Sequence, residues 1–386
     1  MPNIFREIRD FFRYLRLPFE NKRLLIYSEH AGYTVNFRPV LNELIGKQGL
    51  KICYVTSDPK DPILTANEKN VTALYSNVFI SFLMGILSEG TVCLLTVPEL
   101  NNTPVLKRSV NRVHYVYIFH AMMSTHMIYK FGAFDHYDTI ITVGPYQDEE
   151  IRKSEEIYHT SPKKIVHGGY TRLDDVASEY KSYLSVQQDI TSTRLKVLVA
   201  CSWGETSFVE NHQDLAAEMI ERLVGENFDV ILRYHPETVR RRSDVVSFFD
   251  KRFAGNDRIR IEKTVGSNDS LLESSMLITD WSGISLEYAF GTERPVLYVE
   301  TPRKIMNNRY GELDIVPFEV KIRKEIGISV SLEETDSIPT LVREMIEQKN
   351  AYSEKITLYR NSHTYHFGKA AEQTATAIKS IIFSAP

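Results

Sequence analysis

Residues 276–300 read MLITDWSGISLEYAFGTERPVLYVE: a short apolar run, a polar turn, a segment of helical length and a second apolar run. Runs as short as MLIT and PVLYV, bounded by turn-forming residues, are strands covered on both faces rather than pieces of buried helix. The stretch is therefore a βαβ unit. Its polar turn, Asp280-Trp281-Ser282-Gly283, falls at the carboxyl end of the first strand, where open doubly wound sheets bind their ligands.

The same alternation extends in both directions. Upstream lie KVLVAC, FDVILRY and RIRIE, and before them a separate series, RLLIYS, KICYVT, VTALYS, TVCLLTV, HYVYIF, DTIITV and KIVHGG. Helical segments separate the runs, which predicts parallel βα units in each half. Residues 177–193 (ASEYKSYLSVQQDITST) are polar and divide the two series. With 386 residues the chain exceeds what one core usually organises. The expected organisation is an amphipathic helix over residues 1–20, a first Rossmann-like domain over 21–180, a second over 194–365 and a terminal helix over 366–386. Two such domains in tandem are expected to face each other across a cleft.

Composition narrows the function. Hydrophobic residues at 43% and charged residues at 25% describe a folded globular chain. A net charge of −4 argues against a nucleic-acid partner, because phosphate-backbone affinity needs an excess of Lys and Arg. Cys53, Cys93 and Cys201 lie in separate apolar runs without metal-ligand spacing and read as core thiols. The absence of an Asp-x-Asp pair, and of Cys or His at zinc spacing, points to metal-independent chemistry with no cofactor. No apolar run is long enough to span a bilayer, and no signal peptide opens the sequence, so secretion by that route is not expected.

The first residues, MPNIFREIRDFFRYLRLPF, set Ile4, Ile8, Phe11, Phe12 and Leu15 on one helical face and Arg6, Arg9, Arg13 and Arg16 on another. Two readings are open: a helix lying on an anionic membrane surface, or one packed on the protein's own core.

Several strand ends carry residues suited to chemistry. HYVYIF runs into His120 and FDVILRY into His235, a histidine at the matching position of each half, and histidine moves protons at neutral pH. Ser282 and Gly283 open the helix ISLEYAF, so the first-turn N–H groups and the Ser hydroxyl form a candidate diphosphate site. Gly283 permits close backbone approach. Glu287, four residues on, shares its face and suits a ribose diol. Asp280 is expected to orient the turn through backbone N–H groups rather than to meet phosphate. Arg172, in VHGGYTRLDD, is a candidate clamp for an anionic oxygen. Arg240, Arg241 and Arg242 read as a solvated helix face. His114, His126, His136, His363 and His366 read as structural or surface residues.

The set FHAM, GGYTRLD, CSWGE, RYHPE, TDWSGISLEYAFGTERPVLYVETP and FGKAAEQTATAI resembles the CDP-glycerol glycerophosphotransferases, the primases and polymerases of teichoic-acid and related capsule synthesis. The resemblance spans roughly residues 90–380, with the motifs in family order. It implies a GT-B fold in which a first, acceptor domain faces a second, nucleotide-binding domain. It implies His120 and His235 as the catalytic pair, with Arg172, Ser282 and Glu287 at the CDP moiety. Trp203 of CSWGE and Asp280 complete the candidate substrate-binding set. The chain departs from the family pattern at Ala121-Met122, Thr171, Gly204 and Trp281-Ser282-Gly283, each beside the expected phosphate or acceptor site. It also lacks the long N-terminal extension of some polymerases, which favours a compact transferase.

The resulting expectation is transfer of a polyol phosphate from a CDP-alcohol donor to a lipid- or saccharide-linked acceptor, releasing CMP, at the inner face of the cell membrane. Two other functions fit much of the same pattern. A GT-B glycosyltransferase would use a nucleotide sugar and release a nucleoside diphosphate. A catalytically silent scaffold would bind nucleotide yet tolerate loss of either histidine.

Overall fold

A computed structural model describes residues 4–87, 89–102, 106–186, 194–264 and 267–384. The chain divides into two compact units: residues 1–172 with 306–315 and 364–386, and residues 173–305 with 316–363.

The first unit is built on a parallel sheet of β1 (Leu24–Ser28), β2 (Ile52–Thr56), β3 (Val71–Tyr75), β4 (Thr91–Leu95), β5 (Val113–Ile118), β6 (Thr139–Thr142) and β7 (Lys164–His167). Their order is β3-β2-β1-β4-β5-β6-β7. Every residue of β1, β2 and β4 is buried, as a sheet covered on both faces requires. One face packs Leu24, Ile26, Val92 and Leu94 against Phe37, Val40 and Leu41 and against Ala375, Ile378 and Ile382 of the C-terminal helix Ala370–Ser384. The last helix of the chain thus completes the core of the first unit.

The second unit repeats the plan with β8 (Lys196–Val199), β9 (Asp229–Arg233), β10 (Ile259–Glu262), β11 (Met276–Thr279), β12 (Val296–Val299) and β13 (Gly327–Val330), ordered β10-β9-β8-β11-β12-β13. Val197, Val199, Leu232 and Ile278 pack against Ala216, Met219, Ile220 and Leu223 of the helix Gln213–Gly225. In both sheets the order reverses beside the first strand, β1/β4 and β8/β11, the switch point that opens a binding crevice at the carboxyl ends. The architecture is α/β, with two doubly wound sheets.

The sequence-based boundary fell in the polar stretch 177–193, whereas packing divides the chain after Arg172. The helix Thr171–Val186 explains the difference. Val176 fills the space beside Gly291, and Arg294 covers the Tyr180 ring at 4.6 Å, so all but its first turn belongs to the second core. Residues 187–193 lie outside the described residues. Cys53, Cys93 and Cys201 are buried and unbridged.

Candidate active site

In the first unit the carboxyl ends of β1, β4, β5 and β7 bring Tyr33, Thr96, His120 and Tyr170 together. His120 Nδ1 lies 3.2 Å from the Thr96 carbonyl oxygen. A carbonyl only accepts, so Nδ1 carries the proton and Nε2 keeps its lone pair in the neutral ring. The Tyr170 hydroxyl donates to the His120 carbonyl at 2.9 Å, and the Tyr33 ring meets the imidazole edge-on at 5.4 Å. The strand end thus holds the imidazole in one orientation, with Nδ1 turned to the backbone.

Arg172 sits half-buried in the first turn of the helix Thr171–Val186. The Gly168-Gly169 turn before it is demanded by packing. A Cβ at Gly168 would come within 2.2 Å of Ile141, and Gly169 has φ +87° with the Tyr365 carbonyl oxygen 2.3 Å from where its Cβ would be. A small surface pocket lined in part by Thr125, His126, Tyr158 and Lys163 includes neither His120 nor Arg172. Its His126 is engaged by the Ile315 carbonyl oxygen at 3.1 Å and by Glu150 at 3.3 Å.

In the second unit four strand ends form one rim: Trp203 after β8, His235 after β9, residues 280–283 after β11 and Lys304 after β12. His235 caps the helix Pro236–Arg241, its Nδ1 accepting the Glu237 backbone N–H at 3.1 Å. With Nδ1 an acceptor, the neutral ring carries its proton on Nε2, the opposite tautomer to His120. Burial, reinforced by the Lys304 charge, pushes its pKa down to about 4, so the ring is neutral at pH 7.

Asp280 is fully buried. Its carboxylate accepts the backbone N–H groups of Ser202 at 2.7 Å and Phe208 at 2.9 Å, both in the loop after β8. It therefore positions the Trp203 loop from the neighbouring strand. Glu210 secures the other side of that loop, accepting from Gly204 N–H and from the Thr238 hydroxyl. Trp281 turns inward: its indole N–H donates to the Thr301 carbonyl at 2.8 Å, and the Arg323 guanidinium covers its ring at 4.0 Å. Arg323 also donates to the Asp280 carbonyl at 3.0 Å, which fixes the backbone entering Ser282-Gly283.

Ser282 and Gly283 are half-buried at the N-terminus of the helix Ile284–Thr292, and Glu287 lies in its first turn, 9% exposed. Trp203 is also half-buried, with its ring 5.9 Å from that of His235. Above its ring lie two cations, Lys304 Nζ at 4.4 Å and the Arg241 guanidinium at 5.0 Å. Arg241 belongs to the run first read as a solvated helix face. Its partner Glu237 holds it 2.6 Å away and turns it over the indole. Lys304, Arg241, Arg323 and Glu210 were not selected from the sequence. Lys304 obeys the rule that selected His120 and His235, a polar residue beyond a strand end, but residues 300–303 separate it from β12.

The N-terminal helix, Ile4–Arg16, is oriented by its acids. Glu7, Asp10 and Tyr14 are buried. Glu7 accepts from the Ser76 hydroxyl and the Asn77 and Phe79 backbone N–H groups, and Asp10 from the Tyr75 N–H, all at the end of β3. The apolar residues point the other way: Ile4, Phe5, Ile8, Phe12 and Leu15 are exposed, Phe5 at 84%. Phe82 and Val78 extend this surface, with the Phe82 ring 5.6 Å from that of Phe11. Arg9 and Arg13 stand at its margin, 61% and 48% exposed. The helix is packed on the first unit through Glu7, Asp10 and Tyr14, and its apolar stripe lies at the surface. Among the described residues no helix is long and apolar enough to cross a membrane.

Comparison with known proteins follows the same outline. Residues 10–379 match the family model described as CDP-glycerol:poly(glycerophosphate) glycerophosphotransferase. Comparison with curated protein sequences finds no match. Among solved structures, the wall teichoic acid polymerase TagF soaked with CDPG superposes with a TM-score of 0.64 at 14% identity, over 98% of this chain and 94% of that one. A putative UDP-N-acetylglucosamine 2-epimerase from Listeria monocytogenes gives 0.60 at 14% identity, over 93% and 96%. The UDP-GlcNAc 2-epimerase of Methanocaldococcus jannaschii, in complex with UDP-GlcNAc and UDP, gives 0.58 at 16%, over 92% and 99%. At these identities the superpositions speak for a shared GT-B fold.

Proposed function

The chain belongs to the CDP-glycerol:poly(glycerophosphate) glycerophosphotransferase family, and on that footing we propose the part each of its residues takes in the transfer. It is a transferase that moves glycerophosphate from CDP-glycerol. In our reading the acceptor hydroxyl attacks the β-phosphorus and CMP leaves. Phosphoryl transfer asks the protein chiefly for positioning and charge stabilisation.

His120 is the general base. Its Nδ1 faces the Thr96 carbonyl, which leaves Nε2 as the ring nitrogen that takes the acceptor proton. His235 is the donor to the transferring phosphoryl group. Its Nδ1 is committed as an acceptor and its Nε2–H is held on a neutral ring, so it offers a hydrogen bond without competing for the proton. The opposite contacts of the two Nδ1 atoms, a carbonyl oxygen at His120 and a backbone N–H at His235, are the observation that carries the assignment. Ser282 and the first-turn N–H groups of the Ile284–Thr292 helix receive the diphosphate, Glu287 the ribose and Arg172 an anionic oxygen, while Asp280 holds the Trp203 loop in place.

The product in this reading is a cell-envelope polymer of the teichoic-acid kind, grown on a lipid- or saccharide-linked acceptor. The exposed apolar stripe of the N-terminal helix, with arginines at its margin, supports seating on an anionic membrane, because apolar side chains enter the interface while cations meet headgroups. Incubation with CDP-glycerol and a panel of glycerol-phosphate and lipid-linked acceptors, with nucleotides resolved, tests the function. CMP appearing only with acceptor is expected; a nucleoside diphosphate from a nucleotide sugar would overturn it.

A further inference from the structure

We propose that Lys304 is the diphosphate-binding cation of the nucleotide site, meeting the oxygen that bridges the two phosphorus atoms of the donor and the charge left on it in CMP. The role rests on the glycerophosphotransferase reading, but the observation behind it is independent. Lys304 stands on the same rim as Trp203, His235 and Ser282, half-buried. Its ammonium has two partners, the face of the Trp203 indole at 4.4 Å and the Trp203 carbonyl oxygen at 3.4 Å.

Among the described residues no carboxylate reaches Lys304 within ion-pair distance, because those nearby are already engaged. Asp280 receives the N–H groups of Ser202 and Phe208, Glu210 those of Gly204 and the Thr238 hydroxyl, and Glu237 the guanidinium groups of Arg240 and Arg241. The other cations of the rim are paired: Arg241 with Glu237, Arg242 with Asp244 and Arg323 with Glu300. A half-buried charge resting on an indole and a carbonyl is under-compensated, since cation–π attraction is weaker than an ion pair in the same place. Burial accordingly pushes the ammonium pKa down, with Asp280, Glu210 and Glu237 opposing from a distance. The lysine charge in turn depresses the pKa of His235. Two donors, Nζ and the imidazole Nε2–H, thus share one rim, and a diphosphate supplies the missing acceptor for both.

In the transfer, the bond between the acceptor oxygen and the β-phosphorus forms while the bond from that phosphorus to the bridging oxygen breaks. The electron pair stays on the bridging oxygen, now an oxygen of CMP, where the ammonium meets it. The acceptor proton goes to His120 Nε2. Lys304 stays protonated throughout, so it acts by charge.

Calorimetric titration of the full-length protein with CDP and with cytidine, in wild type, Lys304→Met and Lys304→Arg, tests the role. Lys304→Met is expected to bind CDP about 10- to 100-fold more weakly, the span for a lost charge-assisted hydrogen bond, with cytidine binding unchanged. Wild-type affinity for CDP should fall as pH rises through the lowered lysine pKa. Lys304→Arg should restore most of the affinity and remove that alkaline fall, a change that a packing role for the side chain does not produce. Wild type and Lys304→Met binding CDP equally well would overturn the role of Lys304 alone. Wild-type protein that binds no CDP would overturn both that role and the reading beneath it.

Discussion

His235 caps its own helix: its Nδ1 accepts the backbone N–H of Glu237 at 3.1 Å, which fixes the ring and leaves Nε2–H pointing out of the cap. Protonating Nδ1 removes the cap, and burial together with Lys304 makes that costly, which is why the pKa falls from 6.5 to about 4. A histidine whose folded pKa lies below its unfolded value binds fewer protons folded than unfolded within that window. Its contribution is therefore fully present above pH 6.5 and is lost as pH falls toward 4. The window spans roughly 2.5 units, an effect on the order of 3 kcal/mol. Thermal melts of wild type and His235→Asn at pH 5 and pH 7 are expected to show a larger acid-induced drop in Tm for wild type; equal drops would refute the buried neutral ring.

Asp280→Asn keeps the shape of the side chain but turns one acceptor into an amide NH₂ facing a backbone N–H. It should destabilise the protein by about 2–4 kcal/mol, the cost of an unsatisfied buried donor plus a lost charge-assisted bond. Urea midpoints measure this. The variant should also loosen the Trp203 loop, because the Ser202 and Phe208 N–H groups bracket it. An unfolding free energy within about 0.5 kcal/mol of wild type would contradict the described pairing.

Much of the molecule is legible from residue pattern because parallel strands covered on both faces are near-continuous apolar runs, and a polar residue just beyond such a run stands out. That logic exposes His120, His235 and the 280–283 turn. It misses β13, whose GISV is short, half-polar and at the sheet edge; Gly327 is required there because a Cβ would lie 1.8 Å from the Val296 carbonyl oxygen. It misses Lys304 because the loop after β12 runs several residues before presenting it. The N-terminal helix shows a further limit. Periodicity identifies its apolar stripe but not which side is buried, since Glu7 and Asp10 are needed by backbone N–H groups around β3 that lie more than 60 residues away in sequence.

That orientation separates two sets of variants. Phe5→Glu with Phe12→Glu replaces exposed rings and should leave Tm nearly unchanged while releasing the protein from vesicles containing anionic lipid. Glu7→Gln should lower Tm, because a carboxylate accepting three donors becomes an amide. Vesicle sedimentation at low and high salt, with melts in parallel, checks both. A double Phe variant that unfolds, or a wild type that never sediments with vesicles, would contradict the membrane seating.

Glu287→Gln should weaken CDP binding by about 1–3 kcal/mol, since hydrogen bonds from a ribose diol to a charged acceptor lie in that range. Calorimetry with CDP, and with 2′,3′-dideoxy-CDP as the control lacking the diol, reads the contact directly. Wild type and variant should bind the dideoxy nucleotide alike. Unchanged affinity for CDP itself would remove Glu287 from the ribose.

The central claim is that two histidines in opposite tautomers share the transfer, and it is tested by the rate of CMP release from CDP-glycerol under single-turnover conditions with saturating acceptor. His120→Ala and His235→Ala are each expected to slow that step by about 10²- to 10⁴-fold, the range for losing a positioned proton-transfer or transition-state donor group. CDP affinity should be nearly unchanged in His120→Ala. Near-wild-type release by either variant would contradict the account.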